Sequence, residues 1–222
     1  MNEYLQDRVA RIASAASSQY RFLLAGGKAL QVHGLSLRPT QDVDLFTDSH
    51  DPDQFHAAYE AILAALNAEG LRVETHVYQQ GFARFLVIAR ETHETVEVDL
   101  GIDWRADKEG EQFAAGNVLS ERDAVVNKTL AVFGRGYARD FIDLYNILST
   151  RKYSYDDLLR LAPEHDPGFD QRYFAQSLLG VQRFTVEAVS HYGLDSEDWA
   201  HVIKCMVDFA TYISDSPPFP PA

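Results

Sequence analysis

Two aspartates separated by a single residue are the feature of this sequence with the clearest chemical meaning. Asp42 and Asp44 alternate with apolar residues in the segment 41–46. Alternate side chains of a β-strand point to the same face, so the two carboxylates are expected to lie side by side. Neighbouring carboxylates repel each other unless a cation lies between them. Because Mg²⁺ prefers carboxylate, water and phosphate oxygens, the pair predicts a divalent-metal site.

A glycine pair precedes these aspartates. The short apolar run 22–25 ends at Gly26 and Gly27, and a helical pattern follows. Glycine lets backbone amides approach a ligand closely, and a helix N-terminus favours anions, so this turn is predicted to contact phosphate. The next residue is Lys28, a cation that the helix dipole disfavours unless an anion binds nearby. It is expected either to contact phosphate or to point to solvent.

A third carboxylate is expected on a later strand. The segment 95–102 alternates again and places Glu97 and Asp99 on one face, so either could complete the metal site. The competing interpretation of Asp42 and Asp44 is a solvated outer face of an edge strand. Between the glycines and Asp42, Arg38 and Thr40 are predicted either to contact phosphate or to position the loop.

Composition indicates a globular protein of one large domain or two small ones. The chain has 222 residues, 46% apolar and 24% charged, and a single cysteine, so disulfide frameworks and multi-cysteine zinc sites are excluded. No apolar run approaches the roughly 18–20 residues of a membrane span, and the N-terminus lacks a signal-peptide core, so a cytoplasmic protein is expected. The net charge of −13 argues against a broad nucleic-acid surface. However, the segment 121–152 has six basic and four acidic residues, which is locally +2.

The periodicity predicts an α+β protein with a small mixed β-sheet, flanking helices and a C-terminal helical bundle. Strands are expected at 22–25, 41–46, 71–78, 82–89 and 95–102, with 82–89 central, and a loop at 104–116. Helices are expected at 2–18, from Asp51 to Gly70, from Ser120 to Phe133, 137–148, 155–161, within 170–192 and at 196–213. The predicted domains are an α/β core at 1–117, a helical domain at 118–215 and a Pro-rich tail at 216–222.

These motifs resemble a known superfamily. The segments GGKALQVHGLSLRPTQDVDLF and VEVDLGI resemble the nucleotidyltransferase superfamily with the DNA-polymerase-β-like fold. That pattern has a Gly-Gly turn, Asp-x-Asp between apolar residues, and a third carboxylate flanked by apolar residues, which favours Asp99 over Glu97. In the helical half, Lys128 followed by GRGYARDFIDLYNIL is similar to AbiEii-type toxins of toxin–antitoxin and abortive-infection systems.

The resemblance implies an enzyme that uses two Mg²⁺ ions and transfers a nucleotide from an NTP to an acceptor. The acceptor in relatives includes RNA, notably tRNA, and a protein antitoxin is a further implied partner. The implied catalytic residues are Asp42, Asp44, Asp99, Lys128 and Asp143, with the first three as metal ligands. The implied nucleotide contacts are Gly26, Gly27, Lys28, Arg38, Thr40 and Arg139. In this scheme Lys128 and Arg139 neutralise the triphosphate, and Asp143 orients the lysine or assists the acceptor.

Other interpretations stay open at this point. Arg139, Asp140 and Asp143 could instead form ion pairs on a helix surface or at the joint between the halves. A nucleotidyltransferase acting on a small cationic molecule, such as an aminoglycoside, would share the metal triad and would suit the acidic remainder of the chain. The third hypothesis is a non-catalytic relative that only binds a partner. The combination of Asp42, Asp44, Asp99 and Lys128 counts against it, because a purely structural role does not require these residues.

Overall fold

A computed structural model describes residues 4–215 of the chain. These residues divide into two compact units. The first contains the residues up to Val32 together with Thr40–Asp123, and the second contains His33–Pro39 together with the residues from Ala124 onward. The predicted Pro-rich tail at 216–222 lies outside the described residues.

The first unit is built on one mixed sheet. Its strands are β1 (Leu23–Leu24), β2 (Asp42–Thr47), β3 (Arg72–Gln79), β4 (Phe82–Ile88), β5 (Thr95–Ile102), β6 (Glu111–Phe113) and β7 (Gly116–Val118), in the order β3-β4-β5-β2-β1-β7-β6. The pairs β2–β5 and β1–β7 are parallel, and the other neighbours are antiparallel. Strand β4, which was predicted to be central, has neighbours on both sides, but β2 occupies the middle of the order.

Three helices belong to the first unit: α1 (Leu5–Ser17), α2 (Gly26–Val32) and α3 (Pro52–Ala68). Helix α1 contacts α3 and the strands β1, β2, β5 and β7, so these two helices cover the sheet. The predicted start of α3 is confirmed, because the Asp51 side chain accepts hydrogen bonds from the backbone amides of Asp53 and Gln54.

The loop predicted at 104–116 is wrong in part, because this segment contributes to the hairpin β6–β7. Each strand has only three residues, too few for an alternating pattern to be visible in the sequence. Their stability comes from distant partners: Val118 pairs with Leu24, and the amide of Leu119 donates to the Leu24 carbonyl at 2.9 Å. Gly116 has a φ of +118° and packs against Ser14, where a Cβ would lie 2.1 Å from the Ser14 Oγ.

The helical part comprises α4 (Glu121–Gly134), α5 (Ala138–Ser149), α6 (Tyr155–His165), α7 (Gln171–Leu179), α8 (Val186–Val189) and α9 (Ser196–Asp215). Helix α9 contacts α5, α7 and α8, and buried aromatic rings of Phe141, Phe174 and Phe209 fill this core. The segment predicted to be helical over 170–192 is divided, because α7 ends at Leu179, a 3₁₀ turn begins at Gly180 and a short α8 follows. Among residues 4–215, no helix is both long and apolar enough to cross a membrane.

Candidate active site

The three predicted metal-binding aspartates lie on one face of the sheet. Strands β2 and β5 are adjacent and parallel, with Asp44 paired in register with Asp99 and Asp42 with Glu97. All four carboxylate residues are partly exposed, whereas the alternate residues of β2 are buried. Because successive side chains of a strand point to opposite faces, one face of the strand pair β2–β5 is apolar and the other is acidic, as the sequence predicted. We call Asp42, Asp44, Glu97 and Asp99 the carboxylate face.

Gly26 packs directly against this face. It begins α2 with a φ of +59°, and a Cβ at this position would lie 1.8 Å from the Asp44 Oδ2. The amide of Ala25 donates to the Asp44 carbonyl at 2.8 Å, which holds the turn beside β2. Only glycine satisfies both the backbone conformation and the close approach of the carboxylate. The turn between β1 and α2 and the carboxylate face are therefore one structural feature.

A basic residue that the sequence analysis did not single out also lies on this face. Arg84 pairs in register with Asp99, and its Nε and Nη2 donate to the two Asp99 oxygens at 2.7 and 2.6 Å. Its Nη1 lies 3.4 Å from a Glu97 oxygen. The hydrogen bonds to Asp99 raise the pKa of Arg84 further above its ordinary value. The available signal was a lone arginine within the otherwise apolar segment 82–89.

The carboxylate face has the right donor chemistry for Mg²⁺, because its side chains offer oxygen ligands on adjacent strands. As the side chains stand, no group of three or more His, Cys, Asp or Glu residues within the described part of the chain has an arrangement that could hold a metal ion. At Asp99, both oxygens of the carboxylate accept hydrogen bonds from Arg84. The donor set fits a divalent cation provided that Asp99 is released from Arg84.

Two predicted nucleotide contacts interact with α1. The Lys28 ammonium forms an ion pair with Asp7, and its side chain is largely buried. The Gln6 amide donates to the Thr40 hydroxyl and, at 2.8 Å, to the Asp42 carbonyl. In the structure, Lys28 therefore has an anionic partner on the protein itself, and Thr40 helps to anchor the start of β2.

The second unit contains a buried ion cluster around Lys128. This residue is 6% exposed, and its ammonium lies 3.1 Å from an Asp140 oxygen and 3.0 Å from an Asp143 oxygen. Both aspartates are fully buried on α5, at a spacing that places them on one helix face. The resemblance implied that Asp143 either orients the lysine or assists the acceptor, and the structure shows it in contact with Lys128. Asp140 was not included among the predicted site residues.

Residues 33–39 supply a second cation to this cluster. Arg38 is buried and binds Asp143 through two hydrogen bonds, Nε to Oδ1 and Nη2 to Oδ2, each of 2.9 Å. The Ser36 hydroxyl donates to the same carboxylate at 3.0 Å, and the Asn146 amide donates to Ser36 at 3.1 Å. These contacts explain why this segment groups with the second unit, and they hold Arg38 against Asp143; a phosphate contact of Arg38 stays a prediction.

The charges of the cluster are mutually stabilised. Burial alone would raise the pKa of Asp140, but the charges of Lys128 and Arg135 outweigh it and lower the pKa to about 2. Burial likewise opposes ionisation of Asp143 and of Lys128, yet their partners lower the pKa of Asp143 and raise that of Lys128. Lys128, Arg38 and Arg135 thus stabilise the two buried carboxylates as anions.

Arg135 connects the cluster to the surface. Its guanidinium donates to both oxygens of Asp140 at 3.0 and 3.1 Å and lies 5.2 Å from the ring centroid of Tyr137. Arg139, a predicted nucleotide contact, lies 5.9 Å from the same ring. The structure thus places Arg139 on the surface beside the ion cluster, whereas Lys128 and Asp143 lie inside it.

The sequence comparisons identify the family. A family model described as a nucleotidyl transferase AbiEii toxin of a type IV toxin–antitoxin system matches residues 8–212. The chain belongs to the AbiEii family. The resemblance inferred from the glycine turn, the aspartates and the helical motif is therefore confirmed. No curated protein sequence matches the chain significantly.

Solved structures show the same fold as this AbiEii member. A candidate nucleotidyltransferase from Helicobacter pylori aligns with a TM-score of 0.57 at 19% identity, over 94% of this chain and 92% of the other. JHP933 from Helicobacter pylori aligns with a TM-score of 0.54 at 19% identity, over 94% of this chain and 90% of the other. MenT4, a nucleotidyltransferase toxin from Mycobacterium tuberculosis, aligns with a TM-score of 0.51 at 15% identity, over 96% of this chain and 84% of the other. At these identities the likeness establishes the fold, which confirms the predicted fold class.

The close approach of Gly26 to Asp44 can be tested by Gly26→Ala. Gly70→Ala is the matched control, because Gly70 also has a positive φ of +78° but no atom within 4 Å of its added Cβ. The control should lose about 1–2 kcal/mol of unfolding free energy from backbone strain alone. We expect Gly26→Ala to lose clearly more in urea unfolding, and Gly26→Ala/Asp44→Ala to lose less than the sum of the single changes. Equal losses for Gly26→Ala and Gly70→Ala would contradict the contact.

The Asp140 ion pairs predict a specific pH dependence of stability. The folded-state pKa of Asp140 is about 2, below the ordinary 3.8, so its contribution is present above about pH 4 and is lost as the pH falls towards 2. It amounts to about 2 kcal/mol at pH 7 and about half of that at pH 3. The difference in urea unfolding free energy between the wild type and Asp140→Asn should therefore narrow from pH 7 to pH 3. Asp208→Asn, which removes an exposed pair with Lys204, should show a small difference at pH 7. If the difference in unfolding free energy between the wild type and Asp140→Asn does not change with pH, the ion pairs do not lower the pKa of Asp140.

Proposed function

We propose that this AbiEii family member is a Mg²⁺-dependent enzyme that transfers a nucleoside monophosphate from an NTP to RNA, with tRNA as the first candidate acceptor. The observation that carries the proposal is the carboxylate face packed on the Gly26 turn. In the reaction, an acceptor hydroxyl oxygen bonds to the α-phosphorus of the NTP. The bond from that phosphorus to the β-phosphate oxygen breaks and pyrophosphate leaves. The hydroxyl proton passes to a carboxylate of this face and then to water.

The proposed roles on the carboxylate face follow from its geometry. Asp42 and Asp44 are the proposed ligands on β2, where Asp44 packs on Gly26, and Asp99 is the proposed ligand on the neighbouring strand that also orients the acceptor hydroxyl. Two bound Mg²⁺ ions would stabilise the charge that develops on the attacking and leaving oxygens. Gly26, Gly27, Lys28 and Thr40 stay predicted contacts of the triphosphate.

The ion cluster of the second unit supports a role in neutralising phosphate charge. In this cluster Lys128, Arg38 and Arg135 contact the buried carboxylates of Asp140 and Asp143. Lys128 is the proposed phosphate-neutralising group, with Arg139 beside it, and Asp143 holds the lysine in place. The supporting observation is that the two buried carboxylates favour the charged form of the Lys128 ammonium.

An exposed surface of the second unit supports RNA as the acceptor. Tyr137 and Tyr173 are 53% and 54% exposed, and two segments near them, 133–139 and 171–183, contain four arginines and no acidic residue. A cavity of about 280 Å³ is lined by both segments, including Arg135, Tyr173 and Arg183. Exposed aromatic rings with arginines can stack on unpaired bases and bind phosphates. We call Arg135, Tyr137, Arg139, Tyr173 and Arg183 the arginine–tyrosine surface.

The family description also supports a biological role. It names a toxin of a type IV toxin–antitoxin system, and the name of MenT4 describes a nucleotidyltransferase toxin. We propose that this chain is the toxin of such a pair and that a protein antitoxin counteracts it. Expression of the chain in bacteria should slow growth, and Asp44→Asn should relieve the effect.

Transfer activity can be tested with α-³²P-labelled NTPs and a total-RNA pool. The wild type should label RNA in the presence of Mg²⁺ and not in the presence of a chelator. Asp42→Asn and Asp44→Asn should reduce labelling by at least about 100-fold, since each removes a charge from the proposed metal site. Asp53→Asn is the matched control, because Asp53 is an exposed carboxylate in the first turn of α3. Label on an added aminoglycoside and not on RNA would overturn the acceptor, and no label on either would overturn the enzyme.

The arginine–tyrosine surface can be tested by binding of tRNA, followed by fluorescence anisotropy. Tyr137→Ala and Tyr173→Ala should each weaken binding by about 5- to 100-fold, the effect of losing one stacked base. Tyr4→Ala is the control, because Tyr4 is 80% exposed and belongs to the first unit. Wild-type affinity in both variants would show that RNA, if it binds, uses another surface.

A further inference from the structure

Arg84 stands out on the carboxylate face because the backbone itself places it there. Strand β4 is paired on both sides, and register with β5 sets Arg84 opposite Asp99. The side chains before and after it, Ala83 and Phe85, are fully buried on the opposite face. Arg84 therefore cannot leave the carboxylate face without disrupting the sheet, although its side chain can change rotamer.

The contact of Arg84 with Asp99 uses the whole carboxylate. Nε and Nη2 each bind one oxygen, at 2.7 and 2.6 Å, which is the parallel two-bond arrangement that makes such pairs strong. Glu97 lies 3.4 Å from the third nitrogen. Each oxygen of Asp99 retains a lone pair, but a guanidinium at this distance repels a second cation.

The pair is nevertheless accessible. The Arg84 side chain is 39% exposed and that of Asp99 is 16% exposed, so the pair can open towards solvent without unpacking the apolar side of the sheet. By contrast, the ion pair of Arg38 with Asp143 is buried, with exposures of 4% and 0%. Because the pair borders solvent, a divalent cation can reach Asp99 and compete with the Arg84 contact.

We propose that Arg84 is a positioning residue that acts as the resident counter-ion of Asp99 and competes with a divalent cation for it. Arg84 holds Asp99 in place and prevents its repulsion with Asp44, and it releases Asp99 when a divalent cation binds. Both oxygens of Asp99 accept from Arg84, so the availability of Asp99 as a ligand depends on this arginine. This inference rests on the proposed function, since it assumes that the carboxylate face binds divalent cations.

The test is a titration of the purified full chain with Mn²⁺, with free ion measured by electron paramagnetic resonance. Arg84→Gln should bind Mn²⁺ about fivefold or more tightly than the wild type, because the competitor has been removed. Arg84→Lys should lie between them, since lysine retains the charge but not the two-bond geometry. Arg72→Gln is the matched control: Arg72 is an exposed arginine on β3 whose partner is Glu74, and its removal should change Mn²⁺ affinity little.

A double-mutant cycle separates competition for Asp99 from a general gain of negative charge. In an Asp99→Asn background, Arg84→Gln should increase Mn²⁺ affinity by less than twofold. Thermal unfolding gives an independent readout: Arg84→Gln should have a lower Tm than the wild type in chelator and a larger rise in Tm on adding Mn²⁺. Unchanged or weaker Mn²⁺ binding by both Arg84 variants would overturn the inference, as would an equal gain in the Asp99→Asn background.

The failures of the two proposals are distinguishable. If the wild type labels RNA but the Arg84 variants bind Mn²⁺ as the wild type does, the inference fails and the proposed function stands. If Arg84→Gln gains Mn²⁺ affinity through Asp99 but no protein labels RNA, the counter-ion role stands and the proposed function fails. Absence of Mn²⁺ binding in every variant would overturn both.

Discussion

Repulsion between carboxylates is the constraint on which both units of this protein depend. In the first unit, neighbouring strands place aspartates side by side, and Arg84 balances one of them. In the second unit, Asp140 and Asp143 are buried on one helix and are stable as anions only because Lys128 and two arginines surround them. Removing one member of such a buried network leaves an uncompensated charge, which is far more costly than losing the pair as a whole.

The two units meet this constraint in physically different ways. On the sheet, the balancing contact is partly exposed and can be exchanged for another cation. In the helical unit, the contacts of Lys128 and Arg38 are buried, and burial makes the arrangement rigid. An exchangeable charge suits a ligand site, whereas a rigid one suits the precise placement of a lysine. This difference agrees with the proposed division of labour, in which the sheet binds cations and the cluster supplies a fixed positive charge.

The motifs that predicted the family are those whose meaning is local. The structure of the Gly26 turn and of the strand that carries Asp42 and Asp44 can be predicted from a few consecutive residues. The reason is that strand period and glycine conformation are properties of short segments. The same holds for the Asp51 cap. The strands and helices were therefore predicted largely correctly. The exceptions are the hairpin β6–β7, in which β7 pairs with the distant strand β1, and the segment after Leu179, where a 3₁₀ turn and a short helix replace the predicted continuous helix.

The sequence by itself determined the family, the α+β fold class and the aspartates that share one strand face. Only the tertiary structure revealed that Arg84 binds Asp99, that Asp44 packs on Gly26, and that Arg38 is buried against Asp143. The Arg38 pair joins residues 105 positions apart. The physical reason is that periodicity specifies which face a side chain occupies, whereas strand register and chain folding decide which charge it meets there.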